Sequence, residues 1–341
     1  HEAGLKQDDP HLKNFLWTGD DVFTIDGDAV NTRSVGKPLS ISASLENLGL
    51  FFAQFYPRFD CLITTAFRLY AEKRTWSVDD DLSARLLKDV FTQRNLRKRA
   101  YLKKIYRECS AFVCERAWNR FMVCDRVFYN EAMVRFLADP NHAMNSGMVL
   151  KKGNTSTVTM VEVNGRNMVV KRYNIKNARH AFKRSFRPSR AWISWRNAHR
   201  LTSLGIRTPR PIALVEKRLG PFRSTAYFIT EYMDGIDAYS LFHSDRVREI
   251  NPESIVTLFG QLFRLLADTT ITHGDSKATN YLVANNKLSI TDLDSMREHR
   301  FKAGFRHAFT RDLDRFMRNW ADLPEVSSMF RKQLVNLLHR V

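Results

Sequence analysis

The chain has 341 residues, which is more than one average domain, so two structural units are expected. A hydrophobic fraction of 44% with 12% aromatic residues supports packed cores and excludes an intrinsically disordered protein. The net charge of +18 favours an anionic partner. The four cysteines lack metal-ligand or redox spacing, and no apolar run approaches the length of a membrane-spanning helix.

The chain begins inside a short polar pattern. Asp9 and Asn14 lie five residues apart, and a strand-like run from Val22 to Ile25 leads to Asp26. No signal peptide is recognisable. Because the chain starts with His1 at the edge of this pattern, we expect that an N-terminal part of the protein precedes it.

The segment after this pattern is predicted to be almost wholly helical. Residues 40–141 have apolar positions at three-to-four spacing, with charged faces between them. Asp139-Pro140-Asn141 interrupts the pattern, and residues 143–147 have the composition of a linker. We therefore predict a first unit over residues 1–142 and a second over 146–341.

The second unit opens with β-type sequence. Two strand-like runs flank a short polar loop that contains Gly153, and Asn164-Gly165 then predicts a two-residue hairpin turn. On the following strand, Lys171 shares a face with Val169 and Tyr173, because side chains alternate along a strand. An edge-strand lysine fits this pattern, but so does the lysine with which kinases contact nucleotide phosphates.

Positive charge is concentrated in this part of the chain. Residues 151–225 contain 18 Lys or Arg against two Glu, a net charge of 18 − 2 = +16. A solvated face, nucleic acid or an anionic lipid surface each fits such a segment. The accompanying aromatic residues suit a buried helix face at least as well as a base-stacking platform, and no nucleic-acid partner is expected. They are Phe182, Phe186, Trp192 and Trp195.

Two helices are predicted beyond the β-type sequence. The first covers residues 189–204, with Ser189 as its cap and Gly205 as its stop. The second begins at Asn251-Pro252 and has an apolar stripe along one face. This second helix leads to His273, at the start of the next polar pattern.

That pattern repeats the one at the start of the chain, 275 − 9 = 266 residues later. Asp275, Asn280 and Asp292 have the same spacings of five and twelve residues as Asp9, Asn14 and Asp26. A kinase-type site requires one Asp that deprotonates the acceptor hydroxyl and two oxygen ligands for Mg²⁺. A hydrogen-bonded turn before a hairpin is the alternative, and the identical spacing of two copies disfavours it.

The second unit resembles the bacterial lipopolysaccharide core kinases, namely the heptose and 3-deoxy-manno-octulosonic acid kinases. The resemblance spans residues 146–341, and a partial second copy covers about residues 1–57. The segments that carry it are Val170-Lys171-Arg172-Tyr173, Trp195-Arg196-Asn197-Ala198-His199-Arg200-Leu201, Thr208-Pro209-Arg210-Pro211, Glu231-Tyr232, His273-Gly274-Asp275-Ser276-Lys277-Ala278-Thr279-Asn280, Asp292-Leu293-Asp294 and Arg311-Asp312 to Asn319-Trp320.

The resemblance implies an α+β, protein-kinase-like fold. A small antiparallel β N-lobe would occupy about residues 146–235 and a helical C-lobe about 236–341. Residues 1–142 would be a partial kinase C-lobe without its own N-lobe, and Asp9, Asn14 and Asp26 would form an incomplete site.

The resemblance also implies a role for each motif residue. Lys171 and the loop at Gly153 would hold the nucleotide phosphates, and the chain from Glu231 to Met233 would contact adenine. Asp275 would be the catalytic base and Lys277 would steady the γ-phosphate. The metal ligands would be Asn280 and Asp292, with Asp294 supporting a second metal or the loop.

Two departures from the family pattern stand out. Residues 174–204 contain no acidic residue, so the usual helix Glu that pairs with the strand lysine is missing. In the first copy, Gln7 and His11 stand where the second has His273 and Lys277. Because the helix Glu is missing, a group other than a helix carboxylate must orient Lys171.

The function implied is ATP- and Mg²⁺-dependent phosphorylation of a sugar in the lipopolysaccharide inner core. The acceptor would be the core glycolipid, and the protein would work in the cytoplasm, on the anionic inner face of the cytoplasmic membrane. A protein kinase or small-molecule phosphotransferase of the same fold, and a non-catalytic pseudokinase scaffold, are the alternatives. The sugar, the hydroxyl and the oligomeric state stay open.

Overall fold

The computed structural model of the chain describes residues 1–32, 36–174, 187–245 and 250–338. The chain divides into two compact units, His1–Tyr101 and Leu102–Val341. The second unit thus begins well before the boundary predicted near residue 142. Residues 175–186, which include Phe182, Phe186 and part of the basic segment, lie outside the described residues.

The first unit combines two short antiparallel strand pairs with helices. Strand β1 pairs with β4, and β2 pairs with β3. The hydroxyl of Ser40 caps helix α1 by accepting a hydrogen bond from the N–H of Ala43. Its described elements are β1 (Leu5–Gln7), β2 (Phe15–Trp17), β3 (Val22–Thr24), β4 (Val30–Thr32), α1 (Ile41–Phe52), α2 (Asp60–Lys73) and most of α3 (Asp80–Lys104), whose last three residues belong to the second unit.

The second unit begins with an antiparallel sheet that has seven strands in its described residues, in the order β5-β6-β10-β11-β9-β8-β7. Helices α4 and α5 precede β7, and α6 lies between β9 and β10 in the chain. These elements are β5 (Phe112–Arg116), β6 (Arg120–Asp125), α4 (Glu131–Ala138), α5 (Pro140–Ser146), β7 (Met148–Lys152), β8 (Ser156–Val163), β9 (Arg166–Tyr173), α6 (Arg190–Ser203), β10 (Pro211–Leu219) and β11 (Phe222–Glu231).

Strands β5 and β6 correct the prediction that residues 40–141 are almost wholly helical. Each run contains one Phe and one Val, residue types that favour a half-buried pleated surface. Strand β6 pairs along its length with β10, for example Val123 with Leu214. Tertiary pairing of these runs outweighs the helical periodicity of the sequence around them. It also accounts for the early start of the second unit.

The rest of the second unit is mainly helical, with short strands that frame the second polar pattern. Its described elements are β12 (Ile236–Asp237), α7 (Ala238–Phe242), α8 (Pro252–Asp268), β13 (Ile271–Thr272), β14 (Tyr281–Ala284), β15 (Lys287–Ile290), β16 (Arg297–Glu298), α9 (Lys302–Met317) and α10 (Pro324–Leu338). A cluster of buried aromatic side chains forms the core beneath β14. Its members are Phe259, Phe263, Tyr281, Phe316, Trp320 and Phe330.

Three local predictions are confirmed. Asn164 and Gly165 both have positive φ, 52° and 70°, as a two-residue hairpin turn requires. Ser189 caps α6 by accepting a hydrogen bond from the N–H of Trp192. Asn251 caps α8 in the same way, with Pro252 in its first turn.

The tryptophans of α6 belong to the packing of the fold. Trp195 is fully buried and donates a hydrogen bond from Nε1 to the carbonyl of Ile105 at 3.0 Å. Trp192 stacks on Tyr106 with ring centroids 3.9 Å apart. Within the part of the chain that the structure describes, no helix is long and apolar enough to cross a membrane.

Candidate active site

Lys171 lies near the end of β9 and reaches the residues that follow β15. Its Nζ donates a hydrogen bond to Oδ1 of Asp292 at 2.5 Å and lies 3.4 Å from Oδ2 of Asp294. On the opposite face of the strand, Met168 and Val170 are buried in the sheet core. The alternation of the strand therefore places Lys171 toward the two aspartates, which are 121 and 123 residues later in the chain.

The charges of this cluster stabilise one another. Burial lowers the pKa of the Lys171 ammonium, but nearby Tyr173, Asp294 and Asp292 raise it by more, so its pKa lies above the ordinary value. Burial raises the pKa of Asp292, and Lys171 lowers it by more, so that pKa lies below its ordinary value. Lys171 is therefore a cation and Asp292 an anion at neutral pH.

The second polar pattern forms a loop between β13 and β14 that is held by helix α9. Asp312 of α9 accepts hydrogen bonds from the backbone N–H of His273 at 2.6 Å and of Gly274 at 3.0 Å. Gly274 has φ = +78°, and a Cβ there would lie 2.6 Å from the carbonyl oxygen of Ser295. Because both constraints act on the residues just before Asp275, they fix the direction in which its side chain leaves the loop.

His273 is a structural residue of the loop. Its Nε2 donates to the carbonyl oxygen of Thr291 at 3.0 Å, and its Nδ1 accepts from the N–H of Asp275 at 3.3 Å. Burial lowers the pKa of His273, which favours the neutral ring with one donor and one acceptor. The ring thereby joins the residue before Asp292 to the loop that carries Asp275.

Asp275 is surrounded by polar groups on three sides. The Asn280 side chain donates from Nδ2 to the backbone carbonyl of Asp275 at 2.8 Å. Nζ of Lys277 lies 3.5 Å from Oδ2 of Asp275, and a guanidinium nitrogen of Arg315 lies 2.6 Å from Oδ1. The Arg315 contact lacks hydrogen-bond alignment, since this buried Oδ1 has no hydrogen-bond partner, so we treat it as charge attraction.

The remaining predicted nucleotide contacts lie along the sheet. Val158 of β8 and Phe228 of β11 flank Lys171 in register. Gly153 precedes Val158 by five residues, and Glu231 follows Phe228 by three. The chain turns between β7 and β8 at Gly153, whose N–H donates to the carbonyl of Ser156 at 3.0 Å, so Gly153 is level with Ser156 and lies about 7 Å before Lys171 along the strand direction. Because β8 and β11 run in the same direction, Glu231 lies about 10 Å beyond Lys171. Met233 is half-buried just after β11.

Two of the contacts at the site were not predicted from the sequence. A guanidinium nitrogen of Arg190, the first residue of α6, lies 2.8 Å from Oδ2 of Asp294, and Arg315 approaches Asp275. The sequence contained one indirect indication of the Arg190 contact. Residues 174–204 contain no acidic residue, so Lys171 has no carboxylate partner on the helix and another arrangement is required. Asp294, predicted as a metal ligand or loop support, has Oδ2 next to both Lys171 and Arg190.

The first polar pattern has the same backbone arrangement as the second. Strands β1 and β4 pair Leu5 with Thr32, and β13 and β16 pair Ile271 with Glu298, both shifted by 266 residues. The N–H of Ile25 donates to the carbonyl of Asn14 at 2.9 Å, as Thr291 does to Asn280 at 2.8 Å. Asp26 and Asp292 are both left-handed, with φ of 63° and 56°.

The side chains of the first pattern preserve this arrangement with uncharged groups. Gln7 accepts from the N–H of Asp9 through Oε1 at 3.3 Å and donates from Nε2 to the carbonyl of Asp26 at 3.4 Å. The acceptor contact is equivalent to that of His273, and the donor contact is made one residue beyond the position equivalent to Thr291. Asn47 of α1 accepts from the N–H of Gln7 at 3.4 Å, as Asp312 does from His273. Both Asp26 and Asp28 are exposed.

The arrangement of the second unit defines a class of protein. An antiparallel sheet with a lysine on an inner strand precedes a helical part. That part carries an Asp-to-Asn loop and a hairpin ending in an Asp paired with the lysine. This is the architecture of a kinase, in which charge and position do most of the catalytic work.

Comparison with known proteins identifies the family. The model of the lipopolysaccharide kinase (Kdo/WaaP) family matches residues 138–338, which are 201 of the 341 residues. The chain belongs to this family, as predicted, and is a kinase. Kinases of this family use a nucleotide.

One solved structure similar to the chain is titled "WaaP in complex with acyl carrier protein". It is 20% identical, with a TM-score of 0.39, over 62% of this chain and 95% of that chain. No curated protein matches the chain.

Proposed function

We propose that the chain is an ATP-dependent phosphotransferase that phosphorylates a sugar hydroxyl of the lipopolysaccharide inner core. The observation that carries the proposal is the 2.5 Å ion pair between Lys171 and Asp292. It brings a strand lysine suited to phosphates next to a carboxylate suited to a metal ion, although the two are 121 residues apart. Membership of the lipopolysaccharide kinase family supports the acceptor class.

Asp275 is the proposed catalytic base. Its carboxylate would accept the proton of the sugar hydroxyl as that oxygen attacks the γ-phosphate. The bond from the γ-phosphorus to the β,γ-bridging oxygen breaks, and ADP leaves with that electron pair. Lys277 is 49% exposed beside Asp275, so its ammonium can follow the transferred phosphoryl group.

Asn280 and Asp292 are the proposed ligands of Mg²⁺. The side-chain amide of Asn280 donates through Nδ2 to the backbone carbonyl of Asp275. Since Nδ2 and Oδ1 lie on opposite sides of the amide, the Oδ1 of Asn280 points away from that carbonyl and can act as an acceptor. Lys171 contacts Oδ1 of Asp292, and Oδ2 of the same carboxylate is the second oxygen that can coordinate the metal ion. When bound, the ion would neutralise phosphate charge. Among the residues that the structure describes, no three His, Cys, Asp or Glu form a metal cage, which suits Mg²⁺ held mainly by phosphates and water.

The sheet gives the nucleotide a direction. Lys171 lies between Gly153 on one side and the end of β11 at Glu231 on the other. We infer that the phosphates lie toward Gly153 and Lys171, with adenine against the backbone of Glu231 to Met233.

We also infer that residues 5–32 are a second copy of the catalytic-loop structure, and that this copy does not carry the activity. Its hydrogen-bonding register coincides with that of residues 271–298, which supports a common origin. Its Asp28 is exposed, whereas the equivalent Asp294 is buried against two cations.

The basic segment 151–225 supports an anionic acceptor surface, which we propose to be the inner face of the cytoplasmic membrane. Vesicles that contain an anionic lipid should bind the protein, and binding should weaken steeply as salt is raised from low to physiological concentration. Absent or salt-insensitive binding would remove the membrane from the proposal.

Phosphate transfer from labelled ATP to purified inner-core glycolipid tests the proposed reaction. Asp275→Asn should lower transfer by about 10²- to 10⁴-fold, since a positioned base contributes on that order. Lys171→Ala should abolish detectable transfer, and Asp9→Asn serves as the matched control from the first pattern. Undiminished transfer in Asp275→Asn would refute the assignment. Label in the protein and none in glycolipid would favour a protein kinase.

A further inference from the structure

The structure shows what takes the place of the missing helix carboxylate. No acidic residue occurs between residues 174 and 204, so helix α6 has no carboxylate to offer to Lys171. Instead, Asp294 lies next to Lys171, and α6 contributes a cation, Arg190, to the same carboxylate oxygen. In a direct ion pair the helix would supply an anion to the lysine. Here the helix supplies a cation, Arg190, and Asp294 lies between that cation and Lys171.

Asp294 is buried between the two cations. Its side chain is 3% exposed, and its Oδ2 lies 2.8 Å from the Arg190 guanidinium and 3.4 Å from the Lys171 ammonium. A buried carboxylate is stable as an anion when it is paired. Both cations are therefore needed to hold a carboxylate that shares Lys171 with Asp292.

Tyr173 fixes the positions of the two cations relative to each other. The Arg190 guanidinium and the Lys171 ammonium each lie 5.1 Å from the centroid of its ring. The Tyr173 hydroxyl is hydrogen-bonded at 2.9 Å to Ser194, one helical turn after Arg190. Strand β9 and helix α6 are thus locked together at the point where both reach Asp294.

Helix α6 also holds the backbone on either side of Asp294. The side-chain amide of Asn197 donates to the carbonyl of Leu293 at 2.8 Å and to the carbonyl of Met296 at 3.0 Å. Two side chains of the helix therefore hold this segment: Asn197 binds its backbone carbonyls, and Arg190 binds the carboxylate of Asp294. A shift of α6 would move Asp294 and, through it, Lys171.

We propose that Arg190 is a positioning residue of the phosphotransferase, which orients Lys171 through Asp294. By engaging Asp294, Arg190 leaves Asp292 as the closer partner of Lys171, at 2.5 Å against 3.4 Å. Without Arg190, the buried Asp294 would draw Lys171 toward itself and away from the nucleotide phosphates. The proposal rests on the assignment of Lys171 as a nucleotide contact, and it makes Asp294 an ion-pair anchor rather than a metal ligand.

Nucleotide affinity tests this role without requiring the acceptor. The dissociation constant of Mg·ATP is measured by calorimetry for wild type, Arg190→Gln, Asp294→Asn and the double variant. We expect Arg190→Gln to weaken binding by about tenfold, in the range of coupling between contacting residues, and the double variant to bind about as well as Asp294→Asn alone. Arg196→Gln, an exposed arginine of the same helix, should leave the affinity unchanged.

The outcomes separate the proposals from each other. If wild type does not bind Mg·ATP, the proposed function fails. If wild type binds and folded Arg190→Gln binds equally well, the positioning role fails. The positioning role also fails if the effects of Arg190→Gln and Asp294→Asn on the binding free energy are additive. Should Arg190→Gln not fold, Arg190→Lys replaces it in the same set of variants: lysine keeps the charge but not the planar guanidinium over Tyr173, so a partial loss of affinity is expected. A loss of equal size for Arg190→Lys in the Asp294→Asn background would then overturn the role. A raised Mg²⁺ requirement in Asp294→Asn, with none in Arg190→Gln, would make Asp294 a metal ligand and overturn it as well.

Discussion

His273 donates a hydrogen bond from Nε2 to the main-chain carbonyl of Thr291, 3.0 Å away. The bond connects the loop that carries Asp275 to the residue immediately before Asp292. In the first polar pattern, the amide of Gln7 accepts from the N–H of Asp9 and donates to the carbonyl of Asp26, one residue beyond the position equivalent to Thr291. A neutral donor–acceptor side chain is thus what this position requires, rather than an acid, a base or a metal ligand.

We therefore expect His273→Gln to keep phosphate transfer within about threefold of wild type, since an amide supplies the same donor and acceptor. His273→Ala removes both hydrogen bonds and should lower the free energy of unfolding by about 2 kcal/mol, at roughly 1 kcal/mol per bond. Urea denaturation and initial rates measure the two effects. If Gln is as damaging as Ala, the ring has a role in the reaction beyond these contacts.

Stability should depend on pH through buried histidines. Burial lowers the pKa of His199 to about 3, and the unfolded chain has the ordinary value of 6.5. Between these values the unfolded state binds the extra proton, so the free energy of unfolding falls as pH falls through this window. The slope is about 1.4 kcal/mol per pH unit for one such group. Burial also lowers the pKa of His273, which acts in the same direction.

Urea midpoints measured at pH 7.5, 6.0 and 5.0 test this dependence. His199→Gln removes one titrating group and should flatten the fall between pH 6.0 and 5.0, whatever its stability at pH 7.5. His307→Gln, at an exposed position, is the control and should keep the slope of wild type. An unchanged slope in His199→Gln would show that this histidine is protonated in the folded chain.

Much of the candidate site follows from the sequence because its determinants are local. The Asp275-to-Asn280 loop, the hairpin that follows it and the Asn164-Gly165 turn each depend on residues within about a dozen positions of one another. The strand alternation that directs Lys171 inward is equally local. These features agree with the structure because tertiary contacts reinforce the local preference.

The parts that were missed depend on contacts distant in sequence. Nothing near Arg190 indicates that it meets Asp294, 104 residues later, or that Arg315 meets Asp275. Strands β5 and β6 likewise take their identity from pairing with β10, and the helical periodicity of the surrounding sequence concealed them. The absence of an acidic residue from helix α6 indicated that Lys171 needs another partner, but it did not identify that partner.

Gly274→Ala should disrupt the loop before Asp275. The added Cβ would lie 2.6 Å from the Ser295 carbonyl oxygen, a contact with backbone that cannot be relieved by a side-chain rotation. Gly165→Ala is the matched control, because its φ of +70° is similar and nothing lies within 4 Å of its Cβ. The control should cost about 1 kcal/mol for the left-handed backbone alone. Gly274→Ala should cost more and lower transfer; equal costs in denaturation would mean that the clash is relieved.

The two polar patterns allow the proposed metal ligand to be tested against its own counterpart. Asn280→Ala removes the carbonyl oxygen proposed for Mg²⁺ and the donor that contacts the backbone of Asp275. We expect phosphate transfer to fall by about 10- to 100-fold, as is typical when a metal site loses a supporting group, and the Mg²⁺ concentration for half-maximal rate to rise.

Asn14→Ala makes the same change in the first pattern, where the amide of Asn14 donates to the carbonyl of Asp9 at 3.5 Å. Because Asn47 stands there in place of the carboxylate of Asp312 and Asp28 is exposed, we expect transfer and its Mg²⁺ dependence to match wild type. Rates measured over a Mg²⁺ titration compare the two variants directly. An equal loss in Asn14→Ala would place the first unit in the reaction, and a normal Mg²⁺ dependence in Asn280→Ala would remove Asn280 from the metal site.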